Sequence, residues 1–425
     1  MATDSLAPDA LCPNDVASSL VPADLLQKLR DQEASRPLPS PILEAHRTGF
    51  KAMWGQPNLR RTDGLLHLPD EADSVLAAFG GSVDGPIVLN HEYLATAGHV
   101  RDCCDDKPKG RWGGLTVWGT PGVGKTTYLA FQAALMAEQK KPFLVVRSGD
   151  EHAYLWCDAG VFKVSPDFGR YSLLSYLLVL VEPATDASPA VDSRFLNAPG
   201  TFTVVAAGMP LASRYRNLER AVNCHFCIME TWGEEEVLAY GYLQDAASRG
   251  QLDKTPHSLT EVFESFQAME DKEFEITLPV DEEDIPPILP AHRKKEMPMH
   301  FIEVYNIYGG TIRRIAKYHR KPSADFDYSK IGFDPWRPTG LPSLSEIQRL
   351  LRGPTEADYA QDSFWCMFRL AAGFSGSTLN EDASSFQLLT GSRYLRYFSR
   401  EAITKPSSEY DYLERLLMRM PVYRG

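Results

Sequence analysis

No stretch of this chain is apolar for long enough to cross a bilayer. The longest run, Leu177 to Val181 with its upstream neighbours, falls far short of the roughly 20 residues a spanning helix needs. The N-terminus, MATDSLAPDALCPND, lacks a basic segment followed by an apolar one, so no conventional secretion signal is expected. Cysteines at 12, 103, 104, 157, 224, 227 and 366 are odd in number and irregular in spacing. That pattern argues against a disulfide framework and for a reducing compartment. Positive charge is outweighed too: 44 Lys and Arg stand against 56 Asp and Glu, a formal net charge of -12. This is the wrong balance for a whole-protein surface that grips duplex DNA through its phosphates. Nucleic acid is therefore a partner the charge does not support, with only a local basic patch left open. Internal repeats and long low-complexity tracts are lacking as well. These absences together lead us to expect a soluble, cytoplasmic or otherwise intracellular protein with no membrane partner.

What is present is an ordinary globular composition, 44% hydrophobic and 24% charged over 425 residues, enough for two or three domains. Residues 1–84 form an N-terminal region of unknown role. A short helix is expected around Pro22 to Glu33, and Arg36 to Pro41 reads as a proline-punctuated extended linker. From residue 85 to 330 strands alternate with helices. Leu115 to Trp118, Pro142 to Val146, Leu177 to Val181 and Thr203 to Ala207 are apolar strands. His152 to Cys157 and Val161 to Val164 flank Asp158-Ala159-Gly160 as a hairpin. Thr126 to Glu138 has the helical period, with Leu129, Ala133 and Met136 on one face and Gln132 and Glu138 off it. The pattern predicts an α/β fold, a mainly parallel sheet flanked by helices. An acidic, proline-rich segment at Pro279 to Pro287 reads as a solvated loop. Residues 331–425 are expected to be helical: a capping box at Ser343 to Glu346 starts a helix ending near Arg352, followed by helices over Glu356 to Ala372 and Tyr410 to Met420.

One motif carries chemistry. Gly119-Thr120-Pro121-Gly122-Val123-Gly124-Lys125-Thr126 satisfies G-x-x-x-x-G-K-[ST], with Thr127 next in line. Glycines let the backbone curl so that successive N–H groups face phosphate oxygens. The following helix adds the free amides and positive dipole end of its first turn. Lys125 brings a mobile charge for the β- and γ-phosphates, and the Thr126 hydroxyl is placed to coordinate magnesium. A strand before and a helix after supply the context such a loop requires. The motif therefore predicts binding of ATP or GTP with Mg2+.

A phosphate-binding loop of this kind works with an acid at the end of a second buried strand, beside the metal. Glu182, directly after Leu177 to Val181, is the candidate ligand, with Asp186 four residues beyond. Pro183 follows Glu182, so no second acid stands ready as a base for water. Arg214 and Arg216 are further cations for a transferred phosphate, and Arg293-Lys294-Lys295 reads as a solvated loop. Cys224-His225-Phe226-Cys227 is a lone C-x-x-C without a second ligand pair, better read as buried thiols.

The order of elements adds a resemblance. Asn90-His91-Glu92-Tyr93-Leu94 precedes the loop. After it come Tyr154-Leu155-Trp156-Cys157-Asp158-Ala159-Gly160-Val161, Leu180-Val181-Glu182 and Phe202 to Ala207. Met229-Glu230-Thr231-Trp232-Gly233-Glu234-Glu235-Glu236 and Tyr308-Gly309-Gly310-Thr311-Ile312-Arg313 close the series. This order resembles the ATPase module of the Crinkler and retrotransposon-hot-spot proteins of oomycetes, fungi and trypanosomes, over residues 85–330. The resemblance implies a STAND- or AAA-like P-loop ATPase, effector-like, with Arg313 as a sensor arginine at the γ-phosphate. Trp232 and Glu235 would mark the turn into a helical region, and Glu234 to Glu236 would stabilise a helix start. It alone adds an unidentified protein partner and a host cell or its nucleus as destinations. Three departures stand out: Glu182 in place of aspartate, Ala206-Ala207-Gly208-Met209 where a polar residue usually orients water, and Ile312 where proline is frequent. No nuclease arrangement of acids and lysine follows residue 330.

The expected function is magnesium-dependent ATP hydrolysis coupled to a conformational change, with Lys125, Glu182 and Arg313 catalytic and Thr126 with Glu182 on the metal. Two alternatives remain: an interaction protein that holds nucleotide with little turnover, and a small-molecule kinase on the same loop.

Overall fold

The computed structural model describes residues 21–35, 40–56, 60–62, 65–67, 87–106, 113–147, 152–165, 177–182, 201–206, 224–233, 236–237, 239–241, 243, 304–305, 309–318, 368–372 and 386–390. The chain divides into two compact units. One comprises Met1–Trp118, Gly124–Cys227 and His257–Leu259; the other comprises Gly119–Val123, Ile228–Pro256 and Thr260–Gly425.

The first unit is built on strands β4 (Gly114–Gly119), β5 (Phe143–Arg147), β6 (Ala153–Cys157), β7 (Gly160–Val164), β8 (Leu177–Glu182), β9 (Thr201–Ala206) and β10 (Cys224–Met229), with Gly119, Ile228 and Met229, at the ends of β4 and β10, falling to the second unit. They form one seven-stranded sheet in the order β10-β4-β9-β8-β5-β6-β7. Pairing is parallel from β4 through β9 and β8 to β5, and antiparallel across β5-β6-β7. The sheet is thus mixed but mostly parallel, an α/β arrangement. Continuous apolar runs belong in such a sheet because helices cover both faces; Leu178, Val179, Leu180 and Val181 of β8 are all buried.

Helix α1 (Ala23–Ala34) and helix α2 (Pro41–Met53) pack on β7, and α2 also reaches β6. Only the first of these was expected. Pro41, read as linker, is the first residue of α2, where a missing N–H costs nothing, and the Ser40 hydroxyl caps it by accepting from Leu43 N–H at 3.2 Å. Residues 36–39 lie outside the described residues. Two tryptophans dock α2 on the hairpin. Trp156 Nε1 donates to His46 Nδ1 at 3.1 Å and Trp54 Nε1 to Asp158 Oδ1 at 3.1 Å. The His46 ring also stacks on Tyr154. Strands β1 (Arg60–Thr62), β2 (Leu65–His67) and β3 (Ile87–Val88) make a small antiparallel sheet, after which the chain enters α3 (His91–Asp106).

Helix α4 (Lys125–Glu138) follows β4 and corrects one expectation. Gln132 is not on a solvent face; it is fully buried, and Tyr128 Oη donates to its Oε1 at 3.1 Å. With α2, α3, β8 and β9 all against it, α4 has no exposed side between Tyr128 and Ala137. A helix of the core loses the amphipathic period by which it would be read.

In the second unit Val237, Ala239, Leu243, Val304 and Ile315 are buried, and a two-turn helix α5 (Ile312–Tyr318) follows Thr311. Strands β11 (Phe368–Ala372) and β12 (Phe386–Thr390) pair antiparallel, with Phe368 opposite Thr390 and Ala372 opposite Phe386. This overturns the helical reading at the end of Glu356 to Ala372, so the C-terminal region is not wholly helical. Leucine and alanine favour a helix by propensity, but a cross-strand ladder overrides so weak a preference. The expected helices at Ser343 to Arg352 and Tyr410 to Met420, the rest of Glu356 to Ala372, and the acidic segment Pro279 to Pro287 lie outside the described residues. Among the described residues no helix is long and apolar enough to cross a membrane.

Candidate functional site

The run Gly119–Thr126 leaves the end of β4 and enters α4. Buried Leu115, Val117 and Trp118 fix its start, and the fully buried body of α4 fixes its end. Between them the chain turns tightly, with Val123 N–H donating to Thr120 O at 3.2 Å. Two glycines adopt left-handed backbone, Gly122 at φ +90° and Gly124 at φ +103°, which side chains with a Cβ resist.

Within the second unit, two later segments hold the loop's first five residues. A Cβ on Gly119 would stand 2.7 Å from Met229 O, and one on Gly122 would stand 2.7 Å from Arg313 Cβ and 3.1 Å from Thr311 Cγ2. Trp232 Nε1 donates to Val123 O at 2.7 Å, and Arg313 N–H donates to Gly122 O at 3.3 Å. The two segments also clasp each other: Trp232 N–H donates to Gly310 O at 3.2 Å, and Gly310 lies so close to the Trp232 backbone that a Cβ would have no room. Trp232, expected to mark a turn, is buried against the loop, whereas Arg313 contributes its backbone there and exposes its side chain. Arg314, beside it, is the buried one. Glu236 Oε2 accepts from Gly233 N–H at 2.8 Å, the reciprocal half of a helix cap; Glu234 and Glu235 lie outside the described residues.

Within the first unit, Asn90 caps α3 by accepting from Tyr93 N–H at 2.8 Å, and Tyr93 Oη donates to Gly124 O at 2.9 Å. The Tyr93 ring packs on Tyr128 and Phe131, and burial pushes the Tyr128 phenol well above its ordinary pKa. Lys125, the first residue of α4, is buried and Thr127 half-buried. Gly124 gives α4 no side-chain cap, and its first turn has no acid.

Thr126 and Glu182, 56 positions apart, meet: Thr126 Oγ1 donates to Glu182 Oε1 at 2.9 Å. The register explains why they can. Val117 is level with Ala206 and Val205 with Val181, so β4 and β8 end at one edge of the sheet although β9 lies between them. Oxygens about 2.0–2.1 Å from Mg2+ in an octahedron stand about 2.9 Å apart along each edge. The observed separation is that of an ordinary O–H···O hydrogen bond; because it also equals that edge, the pair could occupy adjacent positions on magnesium. Among the described residues no group of three or more His, Cys, Asp and Glu gathers; the cation that suits a two-oxygen pair is one that takes its remaining ligands from phosphate and water.

Other expected residues fall elsewhere. Ala206, at the end of β9, is buried and apolar. Cys227 is a buried thiol within 3.8 Å of Thr96 Oγ1, and burial pushes it up to about 12. Asp186, Ala207 to Met209, Arg214, Arg216 and Arg293 to Lys295 lie outside the described residues. Sequence reasoning assigned no role to Asn90, which caps α3, to Tyr93, which reaches Gly124, or to Thr311, which stands against Gly122. Their neighbourhoods were visible as motif order, but a support through one hydroxyl or methyl leaves no spacing to recognise. No protein-family model matches the chain, and no curated protein matches it at a significant level.

Proposed function

We propose that this protein binds a nucleoside triphosphate, ATP or GTP, with magnesium on the run Gly119–Thr126, and hydrolyses it. The observation that carries the reading is the Thr126–Glu182 hydrogen bond of 2.9 Å at the end of a glycine-rich loop. A hydrogen-bonded hydroxyl and carboxylate, beside left-handed glycines and a helix start without a side-chain cap, together suit a metal-polyphosphate. Main-chain amides of the loop would take the phosphate oxygens, Lys125 Nζ the β- and γ-phosphates, and Thr126 with Glu182 would hold magnesium. The cation, when bound, neutralises charge between the phosphates. Arg313 starts from the wall of the loop at Gly122 and keeps its side chain exposed, which suits a sensor for the γ-phosphate. Together with the motif order that resembles the Crinkler-type module, this reading is of an effector-like ATPase.

A second reading, binding with little turnover, is favoured by Ala206. An apolar, buried residue there cannot orient an attacking water.

Phosphate release and calorimetric binding of Mg-ATP and Mg-GTP test both readings. Lys125→Ala is expected to abolish binding and turnover. Glu182→Gln should keep nucleotide affinity in EDTA but lose the gain that magnesium brings. Tight binding without phosphate release selects the second reading. No magnesium-dependent uptake of either triphosphate by the folded wild type would sink both.

A further inference from the structure

The helical pair α1–α2 sits on the β6–β7 hairpin through two indole N–H groups that point in opposite directions across the contact. Trp156 Nε1, on β6, donates to His46 Nδ1 of α2 at 3.1 Å, and Trp54 Nε1, just past the end of α2, donates to Asp158 Oδ1 of the turn at 3.1 Å. An indole nitrogen is a donor only, so the first of these bonds exists only while Nδ1 carries its lone pair. The surroundings of that bond are closed. His46 is 1% exposed, stacks on Tyr154 with ring centroids 4.3 Å apart and meets Trp156 edge-on. A proton on Nδ1 would set N–H against N–H in this buried place. Arg47 bridges Glu33 of α1 and Glu44 of α2 at 2.6 and 2.9 Å, which ties the two helices into one body. Gly55 N–H donates to Ala137 O at 2.9 Å and fastens the end of α2 to α4. All of these residues belong to the first unit.

We propose that His46 makes the contact of α1–α2 with the hairpin an acid-released latch, docked while its imidazole is neutral and opened when Nδ1 takes up a proton. The device does not depend on the nucleotide reading. Neighbouring charges do not offset that proton. Glu33 and Glu44 are already held by Arg47, and Asp158 by Trp54. On β6 the neighbour is the Tyr154 ring, and on β7 Lys163 stands level with Tyr154, a cation that opposes a second one. Where α2 is fastened to α4, Lys140 lies across Gly55 and Glu138 follows Ala137. Burial, rather than any of these charges, lowers the docked imidazole from 6.5 to about 3. The undocked ring therefore accepts a proton that the docked ring refuses. Docking is at full strength above pH 6.5 and weakens as pH falls below it, by about 30-fold at pH 5. Opening would bare the side of Trp156 that His46 and Phe50 now cover.

Amide deuterium exchange of the full-length protein, corrected for the intrinsic pH dependence of exchange, reads the opening of each segment. The amides of α2 are expected to open through an equilibrium of their own, more readily than those of β8 and β9 and without response to low urea. Their opening constant should be about 30-fold higher at pH 5 than at pH 8. His46→Gln, which keeps a side-chain acceptor but does not titrate, should hold that constant level over the same range. If this variant does not fold, the comparison of α2 with β8 and β9 in the wild type decides by itself. An α2 that exchanges only together with β8 and β9 overturns the latch, because the pair then leaves only when the whole unit unfolds. A rise smaller than about tenfold overturns it as well. So does a full rise that His46→Gln retains, since another group would then carry the pH dependence.

Discussion

Gly122→Ala tests the loop in a way that does not depend on catalysis. At φ +90° an L-residue costs about 1–2 kcal/mol relative to glycine. The new methyl would also lie 2.7 Å from Arg313 Cβ and 3.1 Å from Thr311 Cγ2, inside ordinary contact distance. Thr311 is buried and cannot swing away. Arg313 is tied to the same glycine through its own N–H, so moving it forfeits a hydrogen bond worth about 1 kcal/mol. Together these come to about 2–3 kcal/mol. If the loop keeps its shape, the loss appears in the unfolding free energy. If the free loop relaxes instead, it reappears when the loop must reform, as about 30- to 150-fold weaker Mg-ATP binding. Urea denaturation without ligand and calorimetric titration with Mg-ATP measure the two shares. A variant matching wild type in both, with a summed change below about 0.5 kcal/mol, would refute the geometry of Gly122 and its two neighbours.

Three further outcomes follow from burial and capping. Burial lowers the His46 pKa from 6.5 to about 3, so below pH 6.5 the unfolded chain takes up a proton that the folded chain refuses. The contribution of His46 is complete above that pH and is lost as pH falls toward 3; between pH 6 and 4 it removes about 2 kcal/mol, and a His46→Gln variant should lack this part of the slope in urea titrations. Burial pushes the Cys157 thiol up to about 11 and Cys227 up to about 12, so at pH 8 both should resist alkylation in native protein and react in urea, read site by site by mass spectrometry. Ser40→Ala removes the cap of α2 and should lower the unfolding free energy by about 1 kcal/mol.

Much of the frame was legible in local sequence because its physics is local. Leu177 to Val181 could only be a buried strand, Asp158-Ala159-Gly160 announced its turn, and Gly119 to Thr126 declared a curled backbone between strand and helix. Features set by tertiary contact were hidden. Pro41 reads as a break until Ser40 is seen capping the helix it begins. Gln132 looks like a surface residue until four elements are found around α4. Phe368 to Ala372 suits a helix until Phe386 to Thr390 supplies a ladder. In the candidate site, Lys125, Thr126 and Glu182 were named from motif logic, since an acid ending a buried strand is a recognisable pattern. Tyr93 was not, because one phenol reaching one carbonyl across 31 positions has no signature in a single sequence. Arg313 was named for its charge, yet what it gives the loop is a backbone N–H and the bulk of its Cβ.

The length of the acidic side chain is itself a prediction. Strands lie about 4.8 Å apart, and β9 separates β8 from the strand that delivers the loop, so the carboxylate must extend from its strand end to meet Thr126 Oγ1 at 2.9 Å. Glu182→Asp withdraws the carboxylate by one carbon–carbon bond, about 1.5 Å, and opens the gap beyond hydrogen-bond range. A gap of that size also exceeds the edge of a magnesium octahedron, so under the proposed metal role a water would have to take the place of the carboxylate. Mg-ATP affinity should fall about tenfold, roughly 1.4 kcal/mol, while ATP affinity in EDTA stays that of wild type. An aspartate variant with unchanged magnesium dependence would mean that Glu182 does not touch the metal. Equal weakening with and without magnesium would mean that the carboxylate shapes Thr126 and the loop instead. Only a loss confined to the magnesium arm fits a glutamate chosen for its reach.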